Sequence, residues 1–205
     1  MVRGRPRQHD LDSLLDHASA LWVEKGAAGL TMRALSDRSG AGNGAIYNAF
    51  GSRANLLARV WVREADAFLD FQRTLVDESL ATASPADAVI TAALAPARYA
   101  ETHEEASRLL LAAEVKDLIN SELGPRERSN VDRLRTVLGQ LILDLAENLW
   151  NRTDRDAVLL IRLCLVELPG RLLLSSNRVT DRLSQHALAH AVRGITSAEP
   201  PLTTT

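Results

Sequence analysis

Residues 31–53, TMRALSDRSGAGNGAIYNAFGSR, hold the pattern that decides the fold. Thr31 puts a hydroxyl where a helix N-cap needs one, Leu35 faces inward, and Ser39-Gly40 ends the helix after about two turns. Gly40-Ala41-Gly42 forms a tight turn. Beyond it, Ala45, Ile46, Ala49 and Phe50 make a second short helical pattern that stops at Gly51-Ser52. Two brief helices joined so closely have the proportions of a helix-turn-helix, whose second helix enters the DNA major groove. Ile46 and Phe50, four residues apart, share the inward face, while Tyr47 and Asn48 project away from it. A phenol and an amide on an exposed helix face suit phosphate and base-edge contacts.

Reading outward, Leu11, Leu14, Leu15, Ala18, Leu21 and Trp22 predict a preceding helix with Asp10 as its N-cap and Gly26 to Gly29 as its stop. On the other side, Ser52 caps a helix expected to run to about Ser79. Leu57, Trp61, Phe68, Phe71 and Leu75 lie on one face of it, with Glu64 beside them. At 1.5 Å per residue such a helix is roughly 40 Å long, enough to pass from a small N-terminal unit into a second one. Ser84-Pro85 opens a further helix that Pro96 is expected to break. Helical patterns resume over 104–119, 125–150, 154–175 and 180–195, with Pro169 inside the third of these as an expected kink, and the Pro- and Thr-rich tail from Ser197 is expected to fray. No sustained two-residue alternation occurs, so the fold class is all-α.

The chain has 205 residues, 46% of them hydrophobic, 24% charged and 4% aromatic, which describes a globular protein with an aliphatic core. Its net charge of -2 hides an asymmetry, because residues 1–53 hold seven Arg and Lys against five Asp and Glu. An electropositive front end permits nucleic acid as a partner. With no apolar leader, and with Arg162, Glu167 and Arg171 interrupting its most apolar stretch, the chain is expected in the cytoplasm and away from membranes.

The residues that open and close the two short helices resemble the TetR family of bacterial transcription regulators. The resemblance rests on Thr31-Met32-Arg33-Ala34-Leu35, Gly40, Gly44-Ala45-Ile46-Tyr47-Asn48-Ala49-Phe50, Gly51-Ser52-Arg53 and Leu56-Leu57. It implies a helix-turn-helix domain over 8–67, with the motif near 31–50, followed by a helical regulatory and dimerisation domain over 68–197 and a disordered tail over 198–205. DNA contacts are expected from Thr31, Arg33, Asn43, Ala45, Tyr47, Asn48 and Arg53. Gly42 stands where the family commonly has serine. Asn43 stands where a basic residue or proline is frequent, so Asn43 either contacts a base, caps the helix or only shapes the turn. Ahead of the domain, Arg3-Gly4-Arg5-Pro6-Arg7 is similar to AT-hook cores. Residues 1–7 are expected to act as a minor-groove arm through Arg3, Arg5 and Arg7, the alternative being a solubilising tail.

The resemblance further implies a homodimer, a near-palindromic double-stranded operator, and a small-molecule effector that relieves repression. The last two helices, apolar on several sides, are expected to form the dimer interface through Leu159, Leu163, Val166, Leu183, Leu188 and Ala191. Candidate pocket residues are Trp61, Glu64, Phe68, Tyr99, His103, Glu114 and Arg162, ionisable or amphipathic groups on largely apolar segments. Cys164 reads as a core hydrophobe, and a redox sensor is the alternative. His186 and His190 have helical ligand spacing but nothing completes a set, so no metal and no cofactor are expected. No phosphate-cradling glycine loop, nucleophile elbow or zinc-protease motif occurs, and an enzyme is not expected. Two other readings stay open: a ligand-binding dimer whose reading helix has decayed, and an AT-rich DNA binder acting through its arm alone.

Overall fold

The computed structural model describes residues 8–112, 123–174 and 178–201, among which there is no strand. Helices follow in the order α1 (Gln8–Gly29), α2 (Met32–Ser39), α3 (Asn43–Phe50), α4 (Arg53–Thr82), α5 (Pro85–Thr102) and α6 (Glu104–Ala112). After them come α7 (Pro125–Trp150), α8 (Arg155–Arg162) and α9 (Arg182–Thr196). The boundaries are set by caps. Thr31 Oγ1 accepts from the Ala34 amide at 3.0 Å, Ser52 Oγ from Asn55 at 3.1 Å, and Ser84 Oγ from Asp87 at 3.2 Å. Gly40 closes α2 at φ 71°, a left-handed conformation that glycine adopts without steric cost. Within α1, Gly26 (φ 70°, ψ 173°) interrupts the helical path near the expected stop, whereas the helix starts at Gln8, so Asp10 lies inside it and is not its cap.

The described residues fall into two compact units. The first, the head, lies within Met1–Ala65 and Arg108–Asp132, and the second within Asp66–Ser107 and Arg133–Thr205. Trp22, Leu30, Leu35, Ile46, Phe50, Leu56 and Val60 form the head core, which Leu109 of α6 joins. In the second unit α5 and α9 pack on each other, and α5 presents an interior of alanines (Ala88, Ala92, Ala93, Ala95 and Ala97).

Pro96 does not break α5, which runs through it to Thr102. A proline at position 96 has no N–H to give the Ala92 carbonyl four residues back. Gln72 of α4 supplies the missing donor: its Nε2 reaches Ala92 O at 2.9 Å from a side chain that is wholly buried. The buried stripe of α4 in this unit is accordingly Leu69, Gln72 and Val76, one residue on from the expected Phe68, Phe71 and Leu75, which are half-buried. Bulky residues marked the wrong stripe because a helix surfaced with alanines admits close approach by smaller neighbours.

At Pro169 the chain stays helical but winds more widely, over Leu163–Glu167 and Gly170–Leu174, which accommodates the missing donor by a change of pitch. The cap of α9 is Asp181, so the helix starts at Arg182, two residues past the expected start at 180. Of the tail, residues 197–201 are described and 202–205 lie outside the described residues. Arg152 Nη1 donates to Pro200 O at 2.6 Å, and its Nε and Nη2 bond Asp154, the cap of α8. Beside that guanidinium, Asp154 is held down at about 2.

Candidate nucleic-acid interface

The two faces of α3 differ as their residue types require. Ile46 and Phe50 are buried in the head core, while Asn43, Gly44, Ala45, Tyr47 and Asn48 are exposed, Tyr47 at 55%. Gly42 is the N-cap of α3, in extended conformation (φ -62°, ψ 146°), so Asn43 begins the helix and does not cap it. The interior penalty of ~1 kcal/mol for glycine therefore falls on Gly44 alone. A Cβ on Gly42 or Gly44 would meet nothing within 4 Å, so packing within the chain does not demand glycine at either place. Their smallness leaves the start of α3 thin, with no side chain capping its first turn.

Flanking residues divide into free and committed. Arg33 is highly exposed and only 4.0 Å, at the edge of ion-pair range, from Asp37. Thr31 spends a lone pair on the Ala34 amide and keeps its O–H to donate. Arg53, expected as a phosphate contact, is largely engaged inside the head: Nε donates to Leu30 O at 2.8 Å and Nη2 to Ala27 O. It ties down one carbonyl in the last turn of α1 and one just beyond it, a role its position at the start of α4 did not announce. Arg3, Arg5 and Arg7 lie outside the described residues.

Sequence reasoning missed the residues that hold the carboxyl end of α3. Arg59 Nη1 donates to Ala49 O at 2.9 Å, Asn55 Nδ2 donates to Phe50 O at 3.0 Å, and the Arg59 guanidinium sits 5.5 Å from the Phe50 ring centre. Orphan carbonyls at a helix end require such donors. The only available signal was an Asn and an Arg four apart at the head of α4.

The pocket candidates separate. Phe68, Tyr99 and His103 come together with Phe71: Tyr99 stacks on His103 (centroids 4.4 Å, 10°) and meets Phe68 and Phe71 edge-on at 5.4 and 5.2 Å. Trp61 and Glu64 are not part of this group. Trp61 packs against the head core and Glu64 Oε1 accepts from Ser19 Oγ at 3.0 Å, so the expected Trp61-Glu64-Phe68 face is divided between the two units. Arg162 is exposed on α8, and Glu114 lies outside the described residues. Among the described residues no group of three or more His, Cys, Asp or Glu side chains could hold a metal ion. None of their helices is long and apolar enough to cross a membrane.

Of the interface candidates, Leu159, Val166 and Leu183 are exposed, Leu183 at 74%, and Leu163 and Ala191 are half-buried. Leu188 is fully buried within its own chain and offers a partner no surface. Cys164 is buried, and desolvation raises its thiol to about 12, which favours the inert core role.

Residues 14–60 match the bacterial regulatory proteins, tetR family. Comparison with curated protein sequences gave no match. Among solved structures, a TetR-like transcriptional regulator from Rhodococcus sp. RHA1 is 18% identical with a TM-score of 0.60, over 94% of this chain and 96% of that one. The transcriptional regulator FadR of Bacillus subtilis, solved with stearoyl-CoA, is 13% identical with a TM-score of 0.63, over 90% and 96%. A ketosteroid transcriptional regulator of Mycobacterium tuberculosis is 21% identical with a TM-score of 0.58, over 95% and 96%. Likenesses this distant show the fold, and the match over 14–60 supplies the DNA-binding domain. The front of the chain is thus similar to the tetR family of bacterial regulatory proteins over residues 14–60, and the chain along its length has the fold of TetR-like regulators.

Proposed function

We infer that the protein is a homodimeric repressor that binds a near-palindromic operator through α3 and leaves it when a small molecule occupies the second unit. The observation that carries this reading is α3 itself, with a phenol and an amide exposed on one side and Ile46 and Phe50 anchored on the other. Tyr47, Asn48 and the opening residues Asn43 and Ala45 form the reading face, with Thr31, Arg33 and the remaining donors of Arg53 on phosphates. Residues 1–7 serve as a minor-groove arm, and the protein works in the cytoplasm, where the operator is.

Leu159, Val166 and Leu183 support dimerisation through α8 and α9, since large apolar side chains exposed on neighbouring elements mark an interaction surface. The effector is assigned to the second unit, beside the Phe68, Phe71, Tyr99 and His103 group. Fatty acyl and steroid compounds are the first to test, given what the FadR and ketosteroid regulators are named for. Because α4 holds residues of both units, a ligand that prefers one arrangement of the second unit changes the spacing of two reading heads, which must match successive major grooves ~34 Å apart. A coupling of ~1–3 kcal/mol gives a 5–150-fold change in affinity.

Selecting duplexes from a randomised pool with the full chain tests the reading. It expects a two-fold symmetric consensus bound by a dimer, with affinity falling steeply as salt rises. Recovery of no preferred sequence contradicts it.

A further inference from the structure

We propose that Arg59 and Glu127 form a latch that sets the position of the reading helix α3 from the first turn of α7. Arg59 uses one guanidinium for three purposes: Nη1 holds Ala49 O, the group lies over Phe50, and Nε donates to Glu127 Oε1 at 2.7 Å. Asn55 repeats the arrangement, its Nδ2 on Phe50 O and its Oδ1 accepting from the Gly124 amide at 2.9 Å. Both donors to the last carbonyls of α3 are thus gripped from behind by the segment 124–127. The Glu127 side chain is 3% exposed and that of Arg59 16%. An ion pair this buried gains little over apolar packing, because desolvation offsets its attraction, so its use lies in geometry. The fork of an arginine fixes directions that a lysine would not. Gly124 fits the same reading, since a Cβ there would stand 2.7 Å from Glu127 Oε2 and 3.3 Å from Asn55. Glu127 acts on α3 through Arg59 and is a positioning residue, and the helix it opens continues into the second unit.

The inference rests on the operator-binding reading, and its test separates the two. Amide hydrogen exchange is measured on the free full-length protein, and specific against non-specific affinity is measured with a duplex selected by the wild type and with poly(dA-dT). For Glu127→Gln, α3 amides are expected to exchange roughly tenfold faster while those of α2 are unchanged, and the preference for the selected duplex falls roughly tenfold with poly(dA-dT) affinity retained. In an Arg59→Met background Glu127→Gln adds nothing, because its route to α3 is already cut. Gly124→Ala, which displaces the carboxylate without removing it, gives a smaller change in the same direction and serves if Glu127→Gln does not fold. A lowered melting temperature with α3 exchange and duplex preference both unchanged overturns the latch. If the wild type selects no duplex, the operator reading fails while α3 exchange still decides for or against the latch.

Discussion

The head and the second unit both spend side chains on helix starts, and differ in what holds helix carboxyl ends and fills the interior. In the head, side chains are spent on helix ends: Thr31 and Ser52 cap α2 and α4, Arg53 closes α1, and Arg59 and Asn55 close α3. The indole N–H groups of Trp22 and Trp61 stand outside this arrangement, with no partner among the described residues. In the second unit Ser84, Asp154 and Asp181 cap helix starts, the interior of α5 is lined with alanines, and the buried Gln72 repairs a defect that Pro96 introduces. Specific end contacts tolerate one geometry, as a reading surface requires. Generic apolar packing tolerates several, which suits the effector-driven change of state proposed above.

The contrast is broken most severely through Phe50, which joins the head core to the reading helix. Phe50→Ala is expected to cost about 3–5 kcal/mol in urea denaturation, and a loss below about 1 kcal/mol would mean that the head does not depend on this joint. Gln72→Leu comes next. It leaves the Ala92 carbonyl without a donor and is expected to cost about 1–3 kcal/mol, and most of that loss should vanish in a Pro96→Ala background, where the helix regains its own N–H. Equal costs in both backgrounds would refute the repair.

The smallest effect concerns pH. The folded-state pKa of Cys164 is raised from 9.0 to about 12, so its contribution to stability is full below pH 9 and is lost as pH rises through 9 towards 12. Wild type should lose up to about 1.4 kcal/mol more than Cys164→Ala between pH 9 and 10, measured by urea midpoints.

The same contrast explains what was legible in the sequence. Helix existence and the caps Thr31, Gly40, Ser52 and Ser84 were readable because each rests on a local rule linking residue type to backbone geometry. The exposed face of α3 followed from the spacing of Ile46 and Phe50. Long-range compensation was not readable: Gln72 sits twenty residues from the carbonyl it serves, and Glu127 sixty-eight from Arg59. Helical periodicity also misplaced Trp61 and Glu64, since one face of α4 serves two different interiors along its length. Leu188 failed as an interface residue for a related reason, because an amphipathic pattern shows that a face is buried without showing by what.

Arg53 is a poor probe of DNA contact, because its loss would also loosen α1. Among the described residues Tyr47 and Asn48 show no side-chain hydrogen bond, and both side chains are exposed, so they are the cleaner probes. The most direct measurement is therefore the affinity of Tyr47→Ala and Asn48→Ala for a duplex selected by the wild type, alongside their urea midpoints. The account predicts a loss of about 1–3 kcal/mol in specific binding for each, with stability unchanged. Wild-type affinity in both folded variants would contradict it and remove α3 as the surface that reads DNA.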